Sequence, residues 1–171
     1  GIVPLDLDVT SDSDWQSAAD RIGAFAPALT VLIHNAGVAE DGLILQQSEE
    51  SWDRSMAVNL RPAAFGTRLL LPLLARSSPA HVVLVSSLAS SAGGAGQSIY
   101  SATKAALVGL AQSLAREFAH DGVRVNTLFP GILQGPMTDR LSPTARQHLV
   151  ESNTLGTPND PDEVARFVAF L

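Results

Sequence analysis

Apolar and β-branched residues gather in four short runs: VPLDLDV at 3–9, LTVLIHNAG at 29–37, AHVVLVSS at 80–87 and VRVNTLFPG at 123–131. Each reads as a buried strand. Between them the spacing of apolar positions becomes helical. A first helix carries Trp15, Ala18, Ala19, Ile22 and Phe25 and takes Ser11 or Ser13 as its cap. A second runs from about 49 to 75 with apolar positions nearly all round, and a third from about 98 to 120. Strands alternating with helices imply parallel pairing through right-handed crossovers, hence an open, doubly wound α/β sheet with helices on both faces. No repeat, low-complexity tract or linker divides the chain, so residues 1–171 read as one domain. The Pro-, Thr- and Asn-rich stretch that follows the fourth run differs in character, and 138–155 reads as a cover over a substrate site. A last helix begins near Asp162.

Composition narrows the function classes. The chain has 171 residues, 46% hydrophobic and 16% charged, enough to bury a core. A net charge of -6 and a pI near 5.0 offer no basic footprint, which argues against a nucleic-acid partner. No cysteine is present, which removes disulfides, thiolate catalysis and Cys-ligated metals. His34, His81, His120 and His148 lack ligand spacing, so no metal site is expected. The longest apolar runs, such as LLLPLLA at 69–75, are too short to span a bilayer, and no segment reads as a signal peptide. The cytoplasm is the expected compartment, with no membrane partner.

In a parallel α/β sheet, ligands bind beyond the carboxyl ends of the strands where strand order reverses. Polar and glycine residues cluster at such ends here: HNAG, SSLASSAGGAG and FPGILQG. Asn35 and Gly37 suit a tight turn against a ligand, or an ordinary strand-to-loop turn. The chain's only tyrosine, Tyr100, precedes its only lysine, Lys104, by four positions. Four apart on a helix, the two share a face, and a nearby cation favours phenolate over phenol. The expectation is that Lys104 lowers the Tyr100 pKa; the ordinary alternative is a half-buried phenol beside a solvated lysine. Ser87 closes a strand and can reach the same pocket, with Ser86 as its rival and loop or capping duty as the alternative for either. Asn59 sits inside the long helix, where asparagine marks a bend, a bound water or an exposed polar face.

HNAG, Asn59, Ser87, the Y-x-x-x-K of Tyr100 and Lys104, and RVNTLFPG resemble, in order and spacing, the short-chain dehydrogenase/reductase family. The similarity is strongest to its branch of β-ketoacyl-carrier-protein reductases and of sugar and alcohol dehydrogenases. The resemblance implies a Rossmann-like fold and an oxidoreductase that uses NAD or NADP to interconvert a carbonyl and a secondary alcohol on a small molecule. It implies that Tyr100 is the acid or base, that Ser87 polarises the carbonyl oxygen, and that Lys104 tunes Tyr100 and binds the nicotinamide ribose. Asn59 would anchor a relay water. For the cofactor it implies Asp8 and Val9 against adenine, Asn35, Ala36 and Gly37 beside the adenosine ribose, and Pro130, Gly131 and Leu133 beside the nicotinamide, in addition to Tyr100 and Lys104. Helix capping before Ser11 is the alternative for Asp8. A homodimer or homotetramer formed through the helices at 49–75 and 98–120 is implied as well.

The sequence departs from the family pattern in three places. His34 stands where asparagine is usual, and Gly135 where a threonine commonly meets the carboxamide. No G-x-x-x-G-x-G loop occurs, so the sheet is expected to be incomplete at both ends and the chain to be part of a longer protein. As it stands it would be inactive if that loop is indispensable. Two other readings remain. A non-catalytic interaction module would show no cofactor-induced change in melting temperature. A serine hydrolase would need a G-x-S-x-G elbow, which is missing.

Overall fold

A computed structural model describes residues 2–140, 143–152 and 156–171; for Ala145, His148, Leu149 and Ser152 it describes the backbone alone. Two compact units emerge, Gly1–Leu128 and Phe129–Leu171. In the first, helix α1 (Asp12–Phe25) precedes strand β1 (Val31–His34). Helices α2 (Glu49–Asn59) and α3 (Arg61–Leu74) then lead to β2 (Ala80–Val85), and α4 (Ala89–Ala92) and α5 (Ser98–Glu117) to β3 (Val123–Leu128). The strands form a parallel sheet in the order β1-β2-β3, with Leu32 opposite Val82 and Val82 opposite Val125. This is the Rossmann-like α/β arrangement. No strand-order reversal occurs among the described strands.

The core explains the helix positions. Ala80, Val82 and Leu84 of β2 pack with Ala63 and Leu74 of α3 and with Leu107 and Ala111 of α5, and Leu32 and Val125 join from the neighbouring strands. Both crossover helices therefore lie on one face of the sheet, so within this unit helical cover is seen on that face. The other face carries Val31 and Ile33, both exposed, beside a buried Val83. Buried positions 99, 103, 107, 111 and 114 form the inward stripe of α5.

Three expectations require correction. Residues 3–9 form no strand, because an extended run becomes one only with a ladder partner and the described sheet offers none. The single helix expected over 49–75 breaks at Leu60 into α2 and α3, and Asn59 closes α2. The loop after Ser87 contains one helical turn, α4. Ser11 is the cap of α1, its side chain accepting from the Asp14 N–H.

The second unit holds α6 (Pro136–Asp139), α7 (Pro143–Ser152) and α8 (Pro161–Phe170), the last capped by Asp160. Leu133 makes a parallel bridge with Asn159, whose N–H donates to the Ile132 carbonyl at 2.6 Å. The proposed cover at 138–155 lies partly outside the described residues, which do not include 141, 142 or 153–155.

Candidate active site

Lys104 lies on the inner side of α5 and is 4% exposed. Its amine donates to the Val85 carbonyl at 2.8 Å, at the carboxyl end of β2. Burial disfavours the ammonium form and lowers the Lys104 pKa to about 8. Gly37 lies directly opposite: a Cβ built there would stand 3.2 Å from Lys104 Nζ and 3.4 Å from Asn59 Oδ1. Bare backbone at 37 is thus what lets the turn after β1 approach the amine.

Asn59 fixes that turn. Its Oδ1 accepts the Val38 N–H at 2.8 Å, and its Nδ2 donates to the Val38 carbonyl at 2.9 Å and to Thr103 Oγ1 at 3.0 Å. The Thr103 hydroxyl donates to the Tyr100 carbonyl at 2.8 Å. A single buried amide therefore joins the β1 turn, the end of α2 and the Tyr100–Lys104 segment of α5. Asn59 closes α2 where the chain breaks at Leu60, and its side chain is buried rather than on an exposed face.

Ser86 and Ser87 divide as strand alternation requires. Ser86 is buried and donates to the Lys104 carbonyl at 2.8 Å, which fastens α5 to the sheet. Ser87 is half-buried near the Tyr100 hydroxyl, and its Oγ accepts the Ala89 N–H at 3.2 Å, opening α4. Lys104 Nζ lies 5.8 Å from the Tyr100 ring centre. The Tyr100 pKa is raised, contrary to the expected lowering. Burial is the main cause, the Ser87 hydrogen bond opposes it, and the negative charge of Asp41 adds to it. The Lys104 amine, held by Val85 and itself desolvated, does not offset that burial.

The remaining candidates fall in separate places. Asn35 and Ala36 are exposed just after β1. Val9 is held by Trp15, whose indole N–H donates to the Val9 carbonyl at 2.9 Å, and the Trp15 ring lies over Gly66 of α3 so closely that a Cβ there would come within 2.7 Å. The Asp8 carboxylate accepts from the Thr10 N–H at 2.9 Å and from Thr10 Oγ1 at 2.7 Å, which lowers its pKa. Asp8 thus shapes the turn before α1, although Ser11 is the cap. His34 meets Thr67 Oγ1 at 2.9 Å, and burial lowers its pKa to about 4, so it stands neutral on the helix-covered face. Pro130, Gly131 and Leu133 belong to the second unit, where Gly131 abuts the Asn159 amide without room for a Cβ.

Sequence reasoning missed Thr103, Asp41 and Gln97. Thr103 was detectable: a hydroxyl on the apolar stripe of α5 needs a partner. Asp41 and Gln97 flank the Gly42–Gly96 backbone bond between two loops, for which the sequence carries no periodic signal.

A phenol, a hydroxyl, an amine and a bare-backbone turn thus gather near the ends of adjacent parallel strands on an α/β scaffold. Comparison with known proteins gives the class a name. A family model described as Enoyl-(Acyl carrier protein) reductase matches residues 2–171. The chain is 32% identical to a 3-oxoacyl-[acyl-carrier-protein] reductase FabG of Thermotoga maritima over 98% of its length and 68% of the relative's. It is 34% identical to a (3R)-3-hydroxyacyl-CoA dehydrogenase of Mus musculus, over 86% of this chain and 57% of that one. A cyclopentanol dehydrogenase of a Comamonas species matches at 32% over 98% of this chain and 68% of that one. The chain belongs to the short-chain dehydrogenase/reductase family of NAD(P)-dependent oxidoreductases acting on CH–OH groups. It spans about two thirds or less of the length of these relatives. No helix among the described residues is long and apolar enough to cross a membrane.

Proposed function

We propose that the protein containing this chain interconverts a carbonyl and a secondary alcohol by NAD(P)-dependent hydride transfer, acting in the cytoplasm on a small 3-oxoacyl thioester or cyclic ketone. The observation that carries the reading is the convergence of Gly37, Asn59 and Lys104 on one point, with Tyr100 one helical turn away near Ser87. The substrate classes come from the names of the relatives, a 3-oxoacyl reductase and a cyclopentanol dehydrogenase among them.

The residues present fit the nicotinamide riboside end of the cofactor. Lys104 Nζ spends one donor on Val85 and keeps two, and Gly37 leaves backbone where a side chain would block a sugar. Lys104 and Tyr100 would hold the ribose hydroxyls, with Asn35 and Ala36 on the exposed turn and Asp8 and Val9 as further contacts. The bound nicotinamide supplies or takes up the hydride. Tyr100, a neutral phenol across neutral pH, gives its proton to the developing alkoxide during reduction; as phenolate it accepts the proton in the reverse direction. Ser87 bonds the same oxygen and holds the carbonyl against the phenol. Asn59 keeps the β1 turn and α5 in register, and a water held there would reprotonate the site through Lys104.

We place self-association on α3 and α5. Phe65 is exposed between Arg61 and Arg68, whose guanidiniums each lie 4.9 Å from its ring centre, and α5 exposes the small residues Ala102, Ala105, Ala106 and Gly109. Sedimentation of the full-length protein as a dimer or tetramer is expected, and a monomer at micromolar concentration would remove this part.

The function is tested by mixing full-length protein with NADPH or NADH and a short 3-oxoacyl thioester or cyclopentanone, then following loss of reduced nicotinamide. Consumption matched by hydroxy product is expected. No consumption of either nucleotide with any of these carbonyls would overturn the assignment.

A further inference from the structure

The backbone carbonyls of Tyr100 and Lys104 each accept a hydroxyl. Ser86, just beyond β2, donates to the Lys104 carbonyl at 2.8 Å, and Thr103, within α5, donates to the Tyr100 carbonyl at 2.8 Å. Thr103 is fully buried, and its Oγ1 also accepts an N–H of the Asn59 amide at 3.0 Å. The direction of both bonds is fixed by the partners: a carbonyl can only accept, and the Asn59 Oδ1 is already turned to the Val38 N–H at 2.8 Å, which leaves Nδ2 to face Thr103. Bonding three residues back also locks the Thr103 rotamer against the preceding turn of α5. The path from Val38 through Asn59 and Thr103 to Tyr100 therefore runs without a gap from the turn after β1 to the backbone that carries the phenol.

We propose that Thr103 is a positioning residue of this site: by joining the Asn59 amide to the Tyr100 carbonyl, its hydroxyl sets where the phenol stands relative to the Gly37 turn and the Lys104 amine, and so aligns proton transfer with hydride transfer. The inference rests on the reading of Tyr100 as proton donor given above. Other tethers do not duplicate this bond. Asn59 makes two bonds to Val38 and Lys104 makes one to Val85 that do not involve position 103, so the turn and the amine keep their anchors when the phenol loses its own. Ser86 fastens the Lys104 end of the segment and leaves the Tyr100 end to Thr103.

The test compares Thr103→Val, which keeps the shape and loses the hydroxyl, with Thr103→Ser, which keeps the hydroxyl, in the full-length protein. In the valine variant, carbonyl reduction at saturating substrate should slow about 10-fold or more while the dissociation constant of the reduced nucleotide, NADPH or NADH, changes by less than about 2-fold. The serine variant should recover most of the rate. Thr103→Cys, whose thiol bonds poorly, gives the same split if the valine variant folds poorly. A second readout needs no turnover: with isotope-labelled tyrosine, the ring resonance that Tyr100→Phe removes should shift in the valine variant and return in the serine variant. An unchanged kcat, a loss of kcat that only follows a loss of nucleotide binding, a serine variant as slow as the valine one, or a ring resonance that stays in place overturns the proposal. Failure of the natural protein to oxidise any nicotinamide would instead bring down the functional reading, while the ring resonance would still decide the role of Thr103.

Discussion

The two ends of the Tyr100–Lys104 pair live in different surroundings. At the lysine end, a largely buried network of Asn59, Thr103, Val38 and Val85 holds every group in place. At the tyrosine end, a half-buried phenol faces Ser87 and the loop that carries Asp41. Desolvation acts at both ends, yet it moves the two pKa values in opposite directions, because it disfavours whichever form is charged. The free protein therefore favours a neutral phenol beside an amine that holds its proton weakly. An ion pair of phenolate and ammonium is not what burial alone makes. The comparison teaches that an adjacent lysine tunes a tyrosine only when its own charge is secured.

Breaking the lysine end alone should have the largest structural effect. Asn59→Leu leaves the Val38 N–H and carbonyl without their partners and should destabilise the full-length protein by about 2 kcal/mol or more, read from urea unfolding. Lys104→Met sharpens the same contrast through pH. In the folded chain the lysine pKa lies near 8, below its ordinary value of 10.5, so the folded state is penalised wherever the lysine is protonated. That penalty is full below about pH 8 and disappears as pH rises through the unfolded value. Stability of the natural protein should rise between pH 8 and 10 by on the order of 2 kcal/mol, before tyrosine ionisation intervenes, and the methionine variant should lack that rise.

Gly66→Ala probes the scaffold beneath Val9. A methyl group would meet the Trp15 ring, and destabilisation of about 1–3 kcal/mol with altered tryptophan fluorescence is expected. Smallest of all is Asp12→Asn. Arg61 binds Asp12 through both guanidinium nitrogens at 2.6 and 2.9 Å, but the carboxylate is exposed to water, so an unchanged melting temperature is expected.

Much of this was legible in the sequence where periodicity speaks. The β2 run and the buried stripe of α5 follow directly from apolar spacing, and Y-x-x-x-K placed the phenol and the amine on neighbouring turns of one helix. Adjacent serines at a strand end could be split only by knowing which face α5 covers: Ser86 is buried and bonded to α5, and Ser87 lies half-buried near the phenol. The run at 3–9 looked like a strand because alternation is local, whereas a strand is a relation between two segments. The Leu60 break and the Gly42–Gly96 bond between loops depend on tertiary geometry in the same way. The direction of the Tyr100 shift was misjudged because spacing reports proximity and says nothing of how much water remains.

The central claim is that the Tyr100 phenol delivers the proton to the reduced carbonyl, and replacing Tyr100 by Phe in the full-length protein tests it most directly. With circular dichroism and the melting temperature unchanged, carbonyl reduction should fall at least 100-fold, roughly the contribution of one positioned acid. Turnover within a few-fold of the natural rate would contradict the account.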